Sequence, residues 1–166
     1  MKNYYSTSIA KSLKKQGLPK LRIKLLRTLC FDVLIDTSIK HNLIDPNFIY
    51  FEVKEDFYTY VEDENYIGNS TPSIGNMHLF KDFFQKLSIQ EIIGKDGVKQ
   101  SLDKLNFNFE LKGEKYSDSF FVINLNSTSY NIPNVNIDAV LGTDFLSKHK
   151  WIIDYKKKVI YTPRNH

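Results

Sequence analysis

Asp36, Thr37 and Ser38 follow directly on the run Phe31-Asp32-Val33-Leu34-Ile35. Far along the chain the pattern returns as Asp138-Ala139-Val140-Leu141-Gly142-Thr143. Aligned, the copies read D-V-L-I-D-T and D-A-V-L-G-T, a short internal repeat. One copy ends on a carboxylate where the other has glycine. A buried strand that delivers a carboxylate into a turn is costly unless the charge is shared or hydrogen-bonded. The pattern therefore points to a carboxylate that acts on a proton. A capping role for Asp36 in its own turn is the plainer alternative.

The elements around these residues read mostly as strands. Residues 21–25 alternate apolar and basic, as a half-buried strand does, and a turn near Arg27-Thr28 leads into the strand ending at Asp36. Asp45-Pro46 marks a helix start. Residues 68–73 have loop composition, and 77–87 present Leu79, Phe83 and Leu87 at helical spacing. Gly94-Lys95-Asp96-Gly97 suits a hairpin tip. Strands are expected at 105–111 and 116–123, a polar loop at 124–136, a buried strand at 137–141 and a short helix at 144–150. Residues 151–155 and 159–161 make a last hairpin around three lysines, 156–158. Residues 1–19 read as a basic arm, with a short helix carrying Ile9 and Leu13 and ended by Gly17 and Pro19.

Taken in order, these segments resemble the retropepsin family of aspartic proteases. Leu34-Ile35-Asp36-Thr37-Ser38 resembles the family's strand ending in Asp-Thr/Ser-Gly. Val140-Leu141-Gly142-Thr143-Asp144-Phe145-Leu146 resembles its apolar-apolar-Gly strand entering a short helix, and residues 92–98 resemble its flap hairpin. Two departures stand out: Ser38 replaces the family's glycine, and the bulky Ile39 follows it. The resemblance implies a mostly β lobe, a small closed β-barrel with an internal pseudo-two-fold repeat and one or two short helices. It spans residues 20–162, with 50–90 as an insertion, 91–100 as the flap hairpin and 163–166 as a tail.

The function implied is hydrolysis of peptide bonds by an aspartic endopeptidase. That chemistry needs two carboxylates about 3 Å apart that share a proton. One chain carries one such Asp, so the expectation is a homodimer with Asp36 of each copy facing its mate. The resemblance gives Thr37 a bracing role and groups Asp36, Thr37 and Ser38 as the catalytic turn. Ile39, Ile93, Gly94, Asp96 and Gly97 would line the substrate. The alternative is a catalytically inactive retropepsin-like fold used for dimerisation or peptide binding, motivated by Ser38.

Composition excludes other classes. His41, His78, His149 and His166 show no zinc-ligand spacing, and one cysteine cannot supply it, so no metal or other cofactor is expected. Ser38 and Ser147 lack a nearby His with an orienting acid. Cys30, the single cysteine, reads as a small core residue, and Trp151 as core too. No apolar stretch is long enough to span a membrane and no secretory leader is evident, so an intracellular, cytoplasmic setting is expected. The net charge of +4 is uneven: residues 1–31 hold eight Lys or Arg and no Asp or Glu. Contact of this basic arm with nucleic acid is a further option, weighed below a solvated arm because charge alone attracts without specificity.

Overall fold

The computed structural model describes residues 2–24, 30–48, 84–93 and 99–165, with the backbone alone at 84–93, 99–101 and 103. The strands are β1 (Tyr4–Ser8), β2 (Lys20–Lys24), β3 (Cys30–Ile35), β4 (Asn42–Ile44), β5 (Phe84–Ile93), β6 (Lys99–Leu111), β7 (Glu114–Val122), β8 (Ala139–Leu141), β9 (Ile152–Asp154) and β10 (Val159–Pro163). Two helices are described, α1 (Ala10–Gln16) and α2 (Thr143–Lys148). The strands form two sheets, ordered β1-β10-β9 and β2-β3-β8-β4-β7-β6-β5. The larger sheet curls so that β2 packs over β6, giving a half-barrel.

The two copies of the repeat lie side by side. β3 and β8 run parallel, with Val33 opposite Ala139, Leu34 opposite Val140 and Ile35 opposite Leu141. This register is the alignment read from the sequence. Every side chain of β8 and all of β3 beyond Cys30 are buried, as expected of parallel strands covered on both faces. Phe31 anchors the core, with Phe107 at 4.8 Å and Phe48 at 5.1 Å between ring centroids. Full burial of each such ring contributes about 1.5–3 kcal/mol. Trp151 lies in the same core, edge-on to Phe145 and Tyr116. Cys30 is only half-buried, at the outer end of β3, where a core position was expected.

Two other expectations meet the structure differently. The arm is built into the fold: β1 pairs with β10 from Tyr4–Pro163 to Ser8–Val159, and Ile9 is 1% exposed. The helix that follows ends as anticipated, with Gly17 left-handed at φ 76° and its N–H donating to Leu13 O. Of the helical spacing expected at 77–87, residues 84–87 instead belong to β5, where Phe84, Gln85 and Lys86 pair with β6; 77–83 lie outside the described residues. The register shifts between Lys86 and Ser88, so a bulge at Leu87 absorbs the mismatch. Residues 50–83 of the expected insertion, and the expected hairpin tip 94–97, lie outside the described residues. The hairpin's arms are described: Ile93 sits opposite Lys99.

One buried charge crosses this sheet. Asp32, 1% exposed, accepts from Arg22 Nε at 2.9 Å and Nη2 at 3.0 Å, and from Asn136 Nδ2 at 3.1 Å. Burial pushes its carboxyl up, but those hydrogen bonds and the charges of Lys20 and Arg22 hold it below the usual range. Folded Asp32 therefore takes up its proton less readily than unfolded Asp32. Its contribution is fully present above about pH 4 and is lost as pH falls through its depressed folded value. Replacement by Asn should cost about 1–3 kcal/mol near neutrality in urea unfolding. The gap between wild type and Asp32→Asn should narrow toward about pH 3; a gap constant with pH would contradict this role.

Candidate active site

Asp36 leaves the sheet where β3 ends, its N–H donating to Leu141 O at 3.1 Å. The chain then turns through Thr37 and Ser38. Ser38 N donates to Asp36 Oδ1 at 2.8 Å, the closed turn that aspartate favours. Ser38 Oγ donates to the same oxygen at 2.6 Å. The other oxygen, Oδ2, accepts from Tyr130 Oη at 2.8 Å. The half-buried carboxylate thus takes hydrogen bonds on both oxygens from its own chain. Donors aimed at a carboxylate make short, charge-assisted bonds.

Tyr130 stays a donor. Burial, then its hydrogen bond to the Asp36 carboxylate and that charge, push the phenol well above the ordinary tyrosine value. Its ring packs against the buried Leu34, Leu125 and Val140 cluster, as does Ile39.

The second copy of the repeat braces this turn instead of duplicating it. Thr143 N donates to Ile39 O at 2.9 Å, and Asp144 N donates to Lys40 O at 3.1 Å. Gly142 N donates to Asn42 Oδ1 at 3.0 Å, while Asn42 Nδ2 donates to Ser119 O at 3.1 Å. A Cβ on Gly142 would stand 2.5 Å from Lys40 O and 2.6 Å from His41 O. Any side chain there would drive into the backbone that follows the Asp36 turn. The difference between Asp36 and Gly142 is therefore steric.

Of the residues singled out by sequence, the structure brings Asp36, Ser38 and Ile39 together in one turn. Thr37 and Ser38 are exposed, and Ile39 is half-buried. Ile93 is placed by its backbone pairing with Lys99; Gly94, Asp96 and Gly97 lie outside the described residues. Tyr130 escaped the sequence reading because it sits in a polar loop with no motif, 94 residues from its partner. His41 Nδ1 lies 3.9 Å from Asp144 Oδ2, and His149 Nε2 lies 3.1 Å from Asp118 Oδ2. Among the described residues no group of three or more His, Cys, Asp or Glu is placed to hold a metal ion. No described helix is long and apolar enough to cross a membrane. The basic arm's Lys11 and Lys14 share a groove with Lys158 from the β9–β10 turn.

No protein-family model matches the chain, and neither does any curated protein. Solved structures do. One is the retroviral protease-like domain of Ddi1 from Leishmania major, 13% identical, with 89% of this chain and 93% of that chain covered and a TM-score of 0.45. Another is a retropepsin-like aspartic protease from Rickettsia conorii, 10% identical, with 97% of this chain and 91% of that chain covered and a TM-score of 0.46. Both are retropepsin-like aspartic protease domains. The likeness transfers neither activity nor site residues.

Gly142→Ala should lower the unfolding free energy by about 2–3 kcal/mol, because the added methyl meets backbone carbonyls that cannot rotate away. Urea titration of the purified variant checks this; a change under about 0.5 kcal/mol would show that the close approach is relaxed in solution.

Proposed function

We propose that the chain is an aspartic endopeptidase that works as a homodimer, each copy supplying Asp36. The observation that carries this is the placement of Asp36 and Gly142 one residue beyond the paired Ile35 and Leu141, at matching ends of β3 and β8. The close approach at Gly142 leaves one chain with one carboxylate at this place, so the second comes from another copy. A two-fold axis brings the same residue from both sides. β9 offers an edge for such a contact. It is the outer strand of the small sheet, and it carries or adjoins Ile152 and Tyr155, which are 40% and 48% exposed. Exposed strand edges of this kind pair readily with another chain.

In the dimer the two carboxylates share one proton, since both cannot ionise at about 3 Å. The ionised Asp36 takes a proton from a water, whose oxygen attacks the scissile carbonyl carbon. The protonated Asp36 donates to the carbonyl oxygen. Collapse of the tetrahedral intermediate breaks the C–N bond, and the departing nitrogen takes a proton from the dyad. Thr37 braces the paired turns. The hairpin of residues 91–100, with Ile93, Gly94, Asp96 and Gly97, closes over an extended peptide and excludes water, while Ile39 lines the floor. In this reading residues 20–162 form the catalytic lobe, the basic segment 1–19 adds β1 and α1 to it, and 50–90 is an insertion whose last residues enter β5.

A second reading has an observation in its favour. Ser38 Oγ and Tyr130 Oη both hold the Asp36 carboxylate. A carboxylate engaged in this way also suits an inactive retropepsin-like fold that binds peptides or dimerises.

Wild type should cleave a diverse peptide mixture under acidic conditions. Asp36→Asn should lower the rate at least about a thousandfold, the scale of losing an acid–base group. Light scattering should find the same dimer in both. Peptide binding without cleavage, indifferent to Asp36→Asn, would instead establish the second reading.

A further inference from the structure

The loop of residues 124–136 is far more ordered by hydrogen bonds than its polar composition suggested, and its bonds connect Asp45 to Asp36. Asp45, buried at the end of β4, accepts from Asn47 N through Oδ1 and from Leu125 N through Oδ2, both at 2.8 Å. Leu125 opens a 3-10 turn capped by Asn124, whose Oδ1 accepts from Asn126 N at 3.0 Å. Thr128 Oγ1 donates back to Leu125 O at 2.6 Å and accepts from Tyr130 N at 3.2 Å. Ile132 N then donates to Tyr130 O at 2.9 Å. A continuous series of bonds therefore runs from Asp45 to Tyr130 and ends at Asp36 Oδ2.

We propose that Tyr130 is a positioning residue for Asp36: its phenol holds Oδ2 while Ser38 holds Oδ1, fixing the plane of the carboxylate before a second copy or a substrate arrives. The inference rests on the endopeptidase reading for its catalytic consequence and on the geometry alone for the contact. Positioning of this kind lowers the cost of reaching a reactive geometry. The phenol also favours the ionised carboxylate, because it donates to that form. It gives Ser38 a matching role: the serine that replaces the family's glycine adds a second donor on Oδ1.

Other ionisable groups flank the turn. Lys40 and His41 follow it in sequence, and Asp144 at the start of α2 lies 3.9 Å from His41. Lys20 follows Pro19, whose carbonyl accepts from Ile35 N, and its Nζ lies 3.6 Å from Asp32. Tyr130 is the residue of the 124–136 loop that donates to the Asp36 side chain.

Tyr130→Phe keeps the ring in the Leu34, Leu125 and Val140 cluster and removes only the hydroxyl. In the full chain it should lower kcat about tenfold and leave KM within about twofold, since positioning acts in the transition state. The acid limb of the pH–rate profile should move to higher pH, because the ionised carboxylate has lost a donor. Equal losses in kcat for Tyr130→Phe and for a destabilised core variant, with the acid limb unmoved, would overturn the role. The contact is read separately by the carbon-13 signal of the Tyr130 ring carbon that bears the hydroxyl. In Asp36→Asn that phenol should ionise at lower pH than in wild type. An unchanged titration would overturn the contact itself. If wild type cleaves no peptide, the endopeptidase reading fails, and the Tyr130 titration still decides whether Asp36 is held.

Discussion

The site depends on the parallel register between β3 and β8. Three residue pairs, Val33–Ala139, Leu34–Val140 and Ile35–Leu141, carry the two copies of the repeat to the same height in the sheet. The turn of one copy and the helix start of the other then arrive side by side. Asp36 ends one copy, and at the matching place of the other Gly142 gives space to the carbonyls of Lys40 and His41. A slip of one residue would turn the inner faces outward and separate the turn from its brace.

Buried polar side chains pin that register. Asp138 Oδ2 accepts from Asp32 N at 2.6 Å, and Asp138 N donates to Asp32 O at 2.7 Å. The repeated aspartates are thus joined at the far end of the pair from the Asp36 turn. Asn42 ties the Gly142 backbone to β7, and Asp45 ties β4 to the 124–136 loop. Each of these groups would be costly to bury alone and is satisfied by a partner distant in sequence. Such bonds add specificity of arrangement to a core whose affinity comes from Phe and aliphatic burial.

What could be read from the sequence was what local pattern controls. The repeat, the alternating strands from 105 onward, the buried strand expected at 137–141 and found at Ala139–Leu141, the short helix expected at 144–150 and found at Thr143–Lys148, and the last hairpin are all set by apolar periodicity or turn residues. What escaped was set by tertiary pairing. The basic arm gave no sign that β10 would take Tyr4 to Ser8 as an added strand. Leu79, Phe83 and Leu87 have helical spacing, yet β6 captures Phe84 onward and bulges the strand at Leu87. At the site, Asp36 was legible because strand and turn are local. Tyr130 was not, since a single tyrosine in a polar loop carries no signal until the fold brings it to Oδ2.

The account stands on Asp36 being half of a shared site. Ser38 and Tyr130 hold one carboxylate, and a side chain at Gly142 would meet the carbonyls of Lys40 and His41. The most direct test mixes wild type with Asp36→Asn at equal amounts, lets subunits exchange, and measures peptide cleavage at constant total protein. If both subunits must supply Asp36, only wild-type pairs are active, and the rate falls to about one quarter of the unmixed wild type. A rate of about one half would mean that each chain acts with its own carboxylate alone, and the shared-site account would be wrong.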